Sequence, residues 1–271
     1  MTILMISAIR QISERLSINH AQSAIVLCAY GRSLCFAALL LTDDDEKLSL
    51  LRDYQIFCET PSRSLERCLG LGADGVVAAI KDLADRGLVE RDGLALTAQT
   101  GLFGEAGRGP FGAAIGSILE PTLGLNTVAP LDLPSGAARR DARLELQHEL
   151  AIAKDAIAAL SLAVEETGSV TQALYLLALL ELDGGGSPDR RRGVPARELS
   201  TLVGPTGGNG FAALHALKCA DLVRLDAGAA WRLSRQPRTE SLRRRLEAVG
   251  HSAKPDLPPS MTIRRRLRVS S

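Results

Sequence analysis

Residues 61–96, PSRSLERCLGLGADGVVAAIKDLADRGLVERDGLAL, carry the clearest structural pattern of the chain. Residues 64–69 fit a short amphipathic helix, and the glycines of residues 70–72 are typical of a turn that breaks a helix. Beyond this turn, Val76, Ile80 and Leu83 recur at helical spacings of four and three. The pattern predicts a helix, a turn and a second helix.

A hairpin is predicted directly after the second helix. Residues 88–91 and 94–97 are two short alternating runs, and Asp92-Gly93 between them is a tight-turn dipeptide. The stretch as a whole therefore predicts a helix-turn-helix followed by two antiparallel strands. We expect its core to contain Val76, Ile80, Leu83 and Leu88.

The same pattern returns 134 residues later without a gap, which indicates an internal repeat. In the second copy the hairpin is predicted at 222–225 and 230–233, with a longer turn between them. The alternative is a chance similarity of two Ala/Leu-rich helices, which does not account for the shared register of proline, glycine and hairpin. The matching pairs are Pro61/Pro195, Arg63/Arg197, Leu65/Leu199, Gly70/Gly204, Ala78/Ala212, Ala79/Ala213, Leu83/Leu217, Leu88/Leu222, Val89/Val223 and Asp92/Asp226.

Length and composition favour two domains. A chain of 271 residues has room for two domains of about a hundred residues each. Since 46% of the residues are hydrophobic but only 3% are aromatic, we expect two small cores built from Ala, Leu, Val and Ile, the second containing Phe211, Leu214, Leu217 and Leu222. Between 101 and 138 Gly, Pro and Ala dominate and charges become rare, as at a domain boundary. The predicted organisation is a first domain at 1–104, a Gly/Pro-rich linker at 105–137, a long helix with the second domain at 138–234, and a basic tail at 235–271.

Several classes of protein are not favoured. No apolar run is judged long enough to cross a bilayer and no signal peptide is recognised, so a cytoplasmic protein without membrane contact is predicted. The five cysteines and four histidines are scattered, so no metal site is expected. No nucleophile motif, acid pair or nucleotide loop is found, so neither an enzyme nor a cofactor is predicted.

Two further segments carry apolar stripes at helical spacing. One, at Met5, Ile9, Ile12 and Leu16, lies in the first predicted helix. The other, at Leu146, Leu150, Ala153, Ile157, Leu160 and Val164, lies in a long helix predicted at 138–167. Between them, the apolar stretch 21–41 is expected to break at Gly31. The stripes either pack inside the chain or join two chains, and a homodimer is predicted.

The helix ending in Asp85-Arg86-Gly87-Leu88-Val89, followed by a hairpin, resembles the winged helix-turn-helix superfamily, most closely MarR-type and related bacterial regulators. Ala220-Asp221-Leu222-Val223 matches this signature less closely. The resemblance covers about 35 residues in each half. It implies a mainly α fold with small β-hairpin wings: tandem winged helix-turn-helix domains joined by the Gly/Pro-rich linker and the long helix. It also implies binding of double-stranded DNA and regulation of transcription.

The two predicted recognition helices differ in the residues they offer to DNA. In the first, the matching positions are Asp74, Gly75, Val77, Ala78 and Lys81, of which only Lys81 attracts phosphate. In the second they are Thr206, Asn209, Phe211, Ala212 and His215. Of these, Thr206, Asn209 and His215 are able to hydrogen-bond to DNA, so the second unit is predicted to read bases.

Charge is distributed unevenly. Residues 235–271 hold ten basic and three acidic residues, so their net charge is +7, and the remaining 234 residues carry 22 − 28 = −6. A basic tail suits phosphate contact, although it would also neutralise an acidic body. The predicted DNA-binding residues are Arg63, Lys81, Arg91, Arg197, Thr206, Asn209, His215, Arg224, Arg232, Arg264, Arg265, Arg266 and Arg268. The alternative function is a winged-helix scaffold that binds a protein partner, as in chromosome-condensation or replication assemblies.

Overall fold

The computed structural model describes residues 6, 9–10, 12–14, 16–58, 65–66, 68–92, 95–98, 136–184, 193–204, 210–226 and 228–251. We call residues 6–98 the first half and residues 136–251 the second half. The fold is mainly helical with small antiparallel sheets, as predicted. Predictions for Met5, Arg63, Thr206, Asn209 and Arg264 to Arg268 lie outside the described residues.

The first half begins with helical residues 6, 9, 10, 12–14 and 16, which we call the N-terminal helical segment. Residues 65, 66, 68 and 69 are also helical, in the place predicted for the first helix of the helix-turn-helix. The other elements of this half are α1 His20–Leu41, α2 Asp44–Asp53, α3 Gln55–Cys58, α4 Ala73–Asp85, β1 Val89–Asp92 and β2 Ala95–Ala98.

The described elements of the second half follow the same order, without counterparts of α2 and α3 and with an additional strand and a C-terminal helix. Its elements are α5 Gly136–Thr167, α6 Val170–Gly184, β3 Val194–Pro195, α7 Ala196–Val203, α8 Gly210–Cys219, β4 Val223–Leu225, β5 Ala230–Leu233 and α9 Pro237–His251.

Helix α1 runs without a break through Gly31, contrary to prediction. It begins at a capping box in which the Asn19 side chain accepts from the backbone N–H of Gln22 at 2.8 Å. Gly31 lies against the ring of Phe57, and a Cβ at this position would collide with that ring. The glycine therefore permits close packing of α3 on α1 rather than a break.

Both predicted hairpins are present. In the first, the register pairs Asp92 with Ala95, so Asp92 belongs to the strand. The prediction that it belongs to the turn is therefore wrong. In the second, β4 pairs with β5 and the predicted strand limits are nearly correct. Here a third strand, β3, pairs with β5 through Val194 and Trp231, giving the order β3-β5-β4.

The long helix α5 carries its apolar stripe into the interior of the chain. All six predicted stripe residues are buried, from Leu146 to Val164, and α5 packs against α1, α6 and α9. In the N-terminal helical segment, Ile9 and Ile12 are buried as well. The stripes therefore serve internal packing, which removes the observation on which the predicted dimer was based.

The expectation of two separate cores is wrong. Buried residues of both halves form one connected cluster, because α1 of the first half packs along α5 of the second and also contacts α6. Seven of the eight predicted core residues are buried or pack against this cluster, the exception being Phe211, which is 66% exposed. Helix α8 thus turns its Leu214 and Leu217 inward and leaves Phe211 in solvent.

The repeat extends further towards the N-terminus than the sequence indicated. The N-terminal helical segment and α5 both end at a residue in the left-handed conformation, Ser17 with φ 50° and Gly168 with φ 73°. This pair is 151 residues apart, compared with 134 for the matched stretch, so the difference is 17 residues. The added residues of the first half correspond to α2 and α3.

Equivalent residues of the two halves meet at their junction. With the spacing of 151, His20 at the start of α1 matches Thr171 at the start of α6, and His20 Nδ1 lies 3.3 Å from Thr171 Oγ1. Contact between two equivalent positions is what a twofold axis produces in a symmetric dimer. The two halves are therefore arranged like the subunits of a dimer within one chain.

Two equivalent glycines, Gly70 after helical residues 65–69 and Gly204 after α7, show the same reciprocity. Gly70, with φ 62°, lies against α5, where an added Cβ would be 2.9 Å from Val164 Cγ1. Gly204, with φ 91°, lies against the N-terminal helical segment, where an added Cβ would collide with Arg10 Cγ. Arg10 also donates from Nη1 to the Thr201 carbonyl at 2.7 Å. Each of these two glycines thus packs on a helical segment of the other half.

Helix α1 is long and apolar enough to cross a membrane by length and composition, with mean hydropathy 2.0. The prediction that no apolar run reaches this length is therefore wrong. Within the fold, 81% of the apolar window is buried, and α1 packs against α5, α3 and β2. Such burial is typical of a central core helix, so the composition of α1 is weak evidence for membrane contact.

Candidate nucleic-acid interface

Helices α4 and α8 expose corresponding faces in the two halves. The equivalent pairs Val77/Phe211, Ala78/Ala212 and Lys81/His215 are all exposed. Two other equivalent pairs of the same helices, Ile80/Leu214 and Leu83/Leu217, are buried in the common core. These two solvent-facing helix surfaces are the ones predicted to approach DNA.

The exposed face of α8 combines an aromatic ring with hydrogen-bonding and cationic groups. Phe211 lies at its start and meets Trp231 of β5 edge to face, with ring centroids 6.3 Å apart and an interplanar angle of 82°. His215 follows one turn later, with Nδ1 3.6 Å from Cys219 Sγ, and Lys218 is exposed beyond it. Because α8 contains no carboxylate, this face is free of acidic side chains of its own helix.

The exposed face of α4 is acidic. Asp74, Asp82 and Asp85 are exposed on this helix, whereas Lys81 is its one cation, so its side chains sum to 1 − 3 = −2. Asp82 accepts a hydrogen bond from Gln22 Nε2 at 2.6 Å. Lys81, a predicted DNA contact, is therefore exposed among carboxylates that repel phosphate.

The arginines of the second hairpin are bound to a carboxylate of the same hairpin. Arg224 and Arg232 face each other across β4 and β5, and both form ion pairs with Asp226, at 3.8 Å in the case of Arg224. Their combined charge with Asp226 is 2 − 1 = +1. Both predicted contacts therefore already have an anionic partner in the same hairpin, with which a phosphate group would have to compete.

The other predicted contacts fall into three groups. Arg197 is exposed at the start of α7, as a phosphate contact requires. Arg91 lies in β1, but its side chain is not among the described atoms. The positions of the remaining predicted contacts lie outside the described residues.

The first arginine cluster of the tail belongs to a docked helix rather than to a free arm. Helix α9 packs on α5 through Leu242, which is buried. Arg245 donates to Glu165 Oε2 at 2.8 Å, and Arg238 forms an ion pair with Glu166. Arg243 and Arg244 pair with Glu247 and Glu240 within α9 itself. Arg238 and Arg245 therefore neutralise carboxylates of the body, as the competing interpretation of the tail proposed, whereas Arg243 and Arg244 pair within the tail itself.

The structure adds cations that the sequence analysis did not select. Lys218 lies three residues after His215 and shares its exposed face, a spacing that marks helical neighbours in sequence. Arg235 is exposed two residues after the end of β5. Together with Arg197 and His215, these residues give the second half exposed groups able to contact DNA.

Some titratable groups are buried in the shared core. Burial raises the pKa of Asp155 to about 6, against a smaller opposing effect of Lys154, and Asp155 Oδ2 has no hydrogen-bond partner among the described residues. Burial also raises the pKa of Tyr54 to about 12, and Lys154 Nζ lies 5.3 Å from the centre of its ring. At the junction of the halves, burial lowers the pKa of His20. These groups bear on stability rather than on the exposed faces.

No cluster of three or more His, Cys, Asp or Glu side chains able to hold a metal ion occurs within the described part of the chain. Comparisons with models of protein families, with curated proteins and with solved structures gave no match.

Proposed function

We propose that the protein is a DNA-binding transcriptional regulator of the cytoplasm, built of two winged helix-turn-helix units, and that its second unit contacts double-stranded DNA. The element order from α6 to β5, which is helix, strand, helix, helix, strand and strand, supports a winged helix-turn-helix. The observation that carries the proposal is the α8 face, which offers an imidazole and an ammonium group and no carboxylate.

The dimensions and surroundings of α8 suit a recognition helix. Ten residues span about 15 Å, and the major groove of B-DNA, about 12 Å wide, admits an α-helix. Arg197 and Arg235, exposed in the same half, supply further positive charge for the phosphate backbone.

In this proposal the first unit does not contact DNA. The three carboxylates of α4 would face phosphates if α4 entered a groove, and like charges in close contact repel. One chain then carries one DNA-contacting helix.

The proposal takes a single chain as its starting unit, because the two halves already pack like the subunits of a dimer. The homodimer predicted from the sequence remains a separate hypothesis, since the stripes that suggested it are buried. Sedimentation at micromolar concentration distinguishes a monomer of 28.8 kDa from a species of twice that mass.

The test is a salt titration of binding to a labelled random-sequence duplex, measured by anisotropy. For the wild type, log affinity should fall linearly with log salt, and loss of one phosphate contact in Lys218→Ala should make the slope shallower by about 0.9. His215→Ala should weaken binding as well. Lys81→Ala, a cation on the equivalent helix of the first half, is the matched control and should leave affinity and slope unchanged.

Fluorescence of Trp231 provides a second readout of the same titration. It is the chain's single tryptophan and contacts Phe211 on the α8 face, so DNA bound at α8 should change its emission. Absence of duplex binding at low salt would contradict the DNA-binding proposal.

A protein-binding scaffold is the second candidate function. It is favoured by the α4 face, where Val77 is 51% exposed among the three carboxylates, an arrangement that suits a basic protein surface. In that case the wild type should show little DNA binding and no steep salt dependence.

A further inference from the structure

We propose that Phe211 reads the C5-methyl groups of thymine in the major groove, so that the protein prefers duplexes with thymine under the start of α8. This inference rests on the proposed DNA-binding function and names the base chemistry that the α8 face would recognise. It assigns a specificity role to a residue that was predicted both in the second core and among the positions facing DNA, but not among the DNA-binding residues.

The placement of Phe211 is the first observation. Its spacing of three and six from Leu214 and Leu217 predicts burial, yet 66% of the side chain is exposed at the second position of α8. In helix-turn-helix proteins the N-terminal residues of the recognition helix are those that contact base edges. An exposed apolar ring at this position therefore lies where base edges are read.

The ring is held rather than free. Its edge-to-face contact with Trp231, which is buried in β5, ties the ring to the three-stranded sheet. Aromatic pairs in this geometry attract each other beyond simple burial of area. A ring positioned in this way presents a defined apolar surface and loses little conformational freedom on binding.

The neighbours of Phe211 complete a pattern along α8. Ala212 is exposed beside it, and apolar side chains such as Ala and Phe are suited to contact with the thymine methyl group. His215 and Lys218 follow at the next positions of the same face, with hydrogen-bonding and cationic groups. The apolar part thus lies at the base-reading end, and the cation lies towards the C-terminal end, where it is suited to the backbone.

The alternative is that this ring inserts into an apolar pocket of a partner protein. Among the described residues of this turn, only Ala212 accompanies it on the exposed side. His215 and Lys218 complete the face, so the surface mixes apolar and cationic character. A surface of this mixed character suits thymine methyl groups that lie between phosphates. It suits an apolar pocket less, because the Lys218 ammonium group would lose its water there without gaining an anionic partner.

The experiment compares thymine with uracil, which differs from it in lacking the methyl group. Duplexes that bind the wild type are selected from a random-sequence library, resynthesised with deoxyuridine in place of thymidine, and measured by anisotropy. Each methyl group contacted should contribute about threefold to fourfold in affinity, so the wild type should bind the uracil duplex at least threefold more weakly. Phe211→Ala should lose most of this difference in affinity, because it removes the ring and leaves only the smaller methyl groups of the alanines.

Val77→Ala is the matched control, since Val77 is the exposed equivalent of Phe211 on α4. It should retain the wild-type ratio between the two duplexes. Phe211→Leu, which keeps an apolar side chain, should retain part of that ratio, and it replaces the alanine variant if circular dichroism shows that Phe211→Ala is unfolded.

Three results would overturn the inference. Equal affinity of the wild type for both duplexes would mean that no methyl group is read, as expected if Phe211 serves a protein partner. An unchanged ratio in Phe211→Ala would assign methyl reading to another residue. Failure to enrich any duplex would remove the DNA-binding proposal together with this inference.

Discussion

Helices α4 and α8 occupy equivalent places in the two halves but present opposite charges to solvent. Their inward residues serve the same purpose, since Ile80 and Leu214 are both buried, as are Leu83 and Leu217. Their outward side chains sum to −2 on α4 and to +1 on α8, with histidine neutral. A repeated fold therefore constrains the buried face of a helix, whereas the chemistry of its exposed face is free to differ.

The two halves make reciprocal contributions to their junction. The first half provides α1, which packs on α5 of the second half, and its N-terminal helical segment supports Gly204 through Arg10. The second half provides α5, whose Val164 supports Gly70. Neither half has a core of its own, so their stabilities should be coupled even where their surfaces differ.

Leu83→Ala and Leu217→Ala test this coupling and should have the largest effects. Each removes a fully buried side chain from the common core and should lower the free energy of unfolding by about 2 to 5 kcal/mol. Because the core is connected, urea denaturation followed by circular dichroism should show one transition in the wild type and in both variants. Two transitions, with each variant shifting only one of them, would restore two independent domains.

Much of the fold could be predicted because its signals are local. The apolar spacing of α4, the second hairpin and the stripe of α5 each depend on residues close in sequence, and each is confirmed. Strand β3 was missed because two residues carry no periodicity and their partner, Trp231, is 37 residues away. The single core was missed for a similar reason, since the stripe of α5 does not specify whether its partner is α1 or another chain.

The candidate site was less predictable. Whether an arginine side chain is available to phosphate depends on ion pairs that form only after folding. Arg245 and Glu165 are 80 residues apart, and nothing local indicates their contact. The prediction that Phe211 belongs to the core was wrong, although its spacing of three and six residues from Leu214 and Leu217 fits the buried face of α8. The pairing of Arg224 and Arg232 with Asp226 was in principle accessible, since the predicted hairpin already placed the two arginines opposite each other.

Asp155 offers a second and smaller test of the difference between the halves. With the spacing of 151, its counterpart in the first half is Leu4, so a carboxyl stands in α5 where the N-terminal sequence has an apolar residue. The pKa of Asp155 is about 6 in the folded protein, compared with about 3.9 for an unfolded Asp. Between these values the folded state binds more protons, so stability should fall as pH rises from about 4 to 6.

Asp155→Asn removes the charge while keeping a similar shape. It should abolish this part of the pH dependence and raise the free energy of unfolding at pH 8 by about 1 to 3 kcal/mol. Urea denaturation at pH 4.5 and pH 8 measures the difference between variant and wild type. A variant that is no more stable than the wild type at pH 8 would show that the carboxylate is well solvated or paired in the folded state.

The smallest effect on stability, but a direct test of the surface comparison, is expected from Asp226→Asn. Arg224 and Arg232 form exposed or half-exposed ion pairs with this carboxylate, and such pairs contribute less than about 1 kcal/mol to stability. Releasing both arginines to phosphate should strengthen DNA binding and steepen the slope of log affinity against log salt by up to about 1.8, or about 0.9 for each contact.

Asp92→Asn is the matched control, because Asp92 is the equivalent residue of the first half. If the first unit does not contact DNA, this control should leave the slope unchanged. Equal steepening in both variants would mean that the two hairpins approach DNA alike, and that the contrast between the faces of α4 and α8 does not determine which half binds.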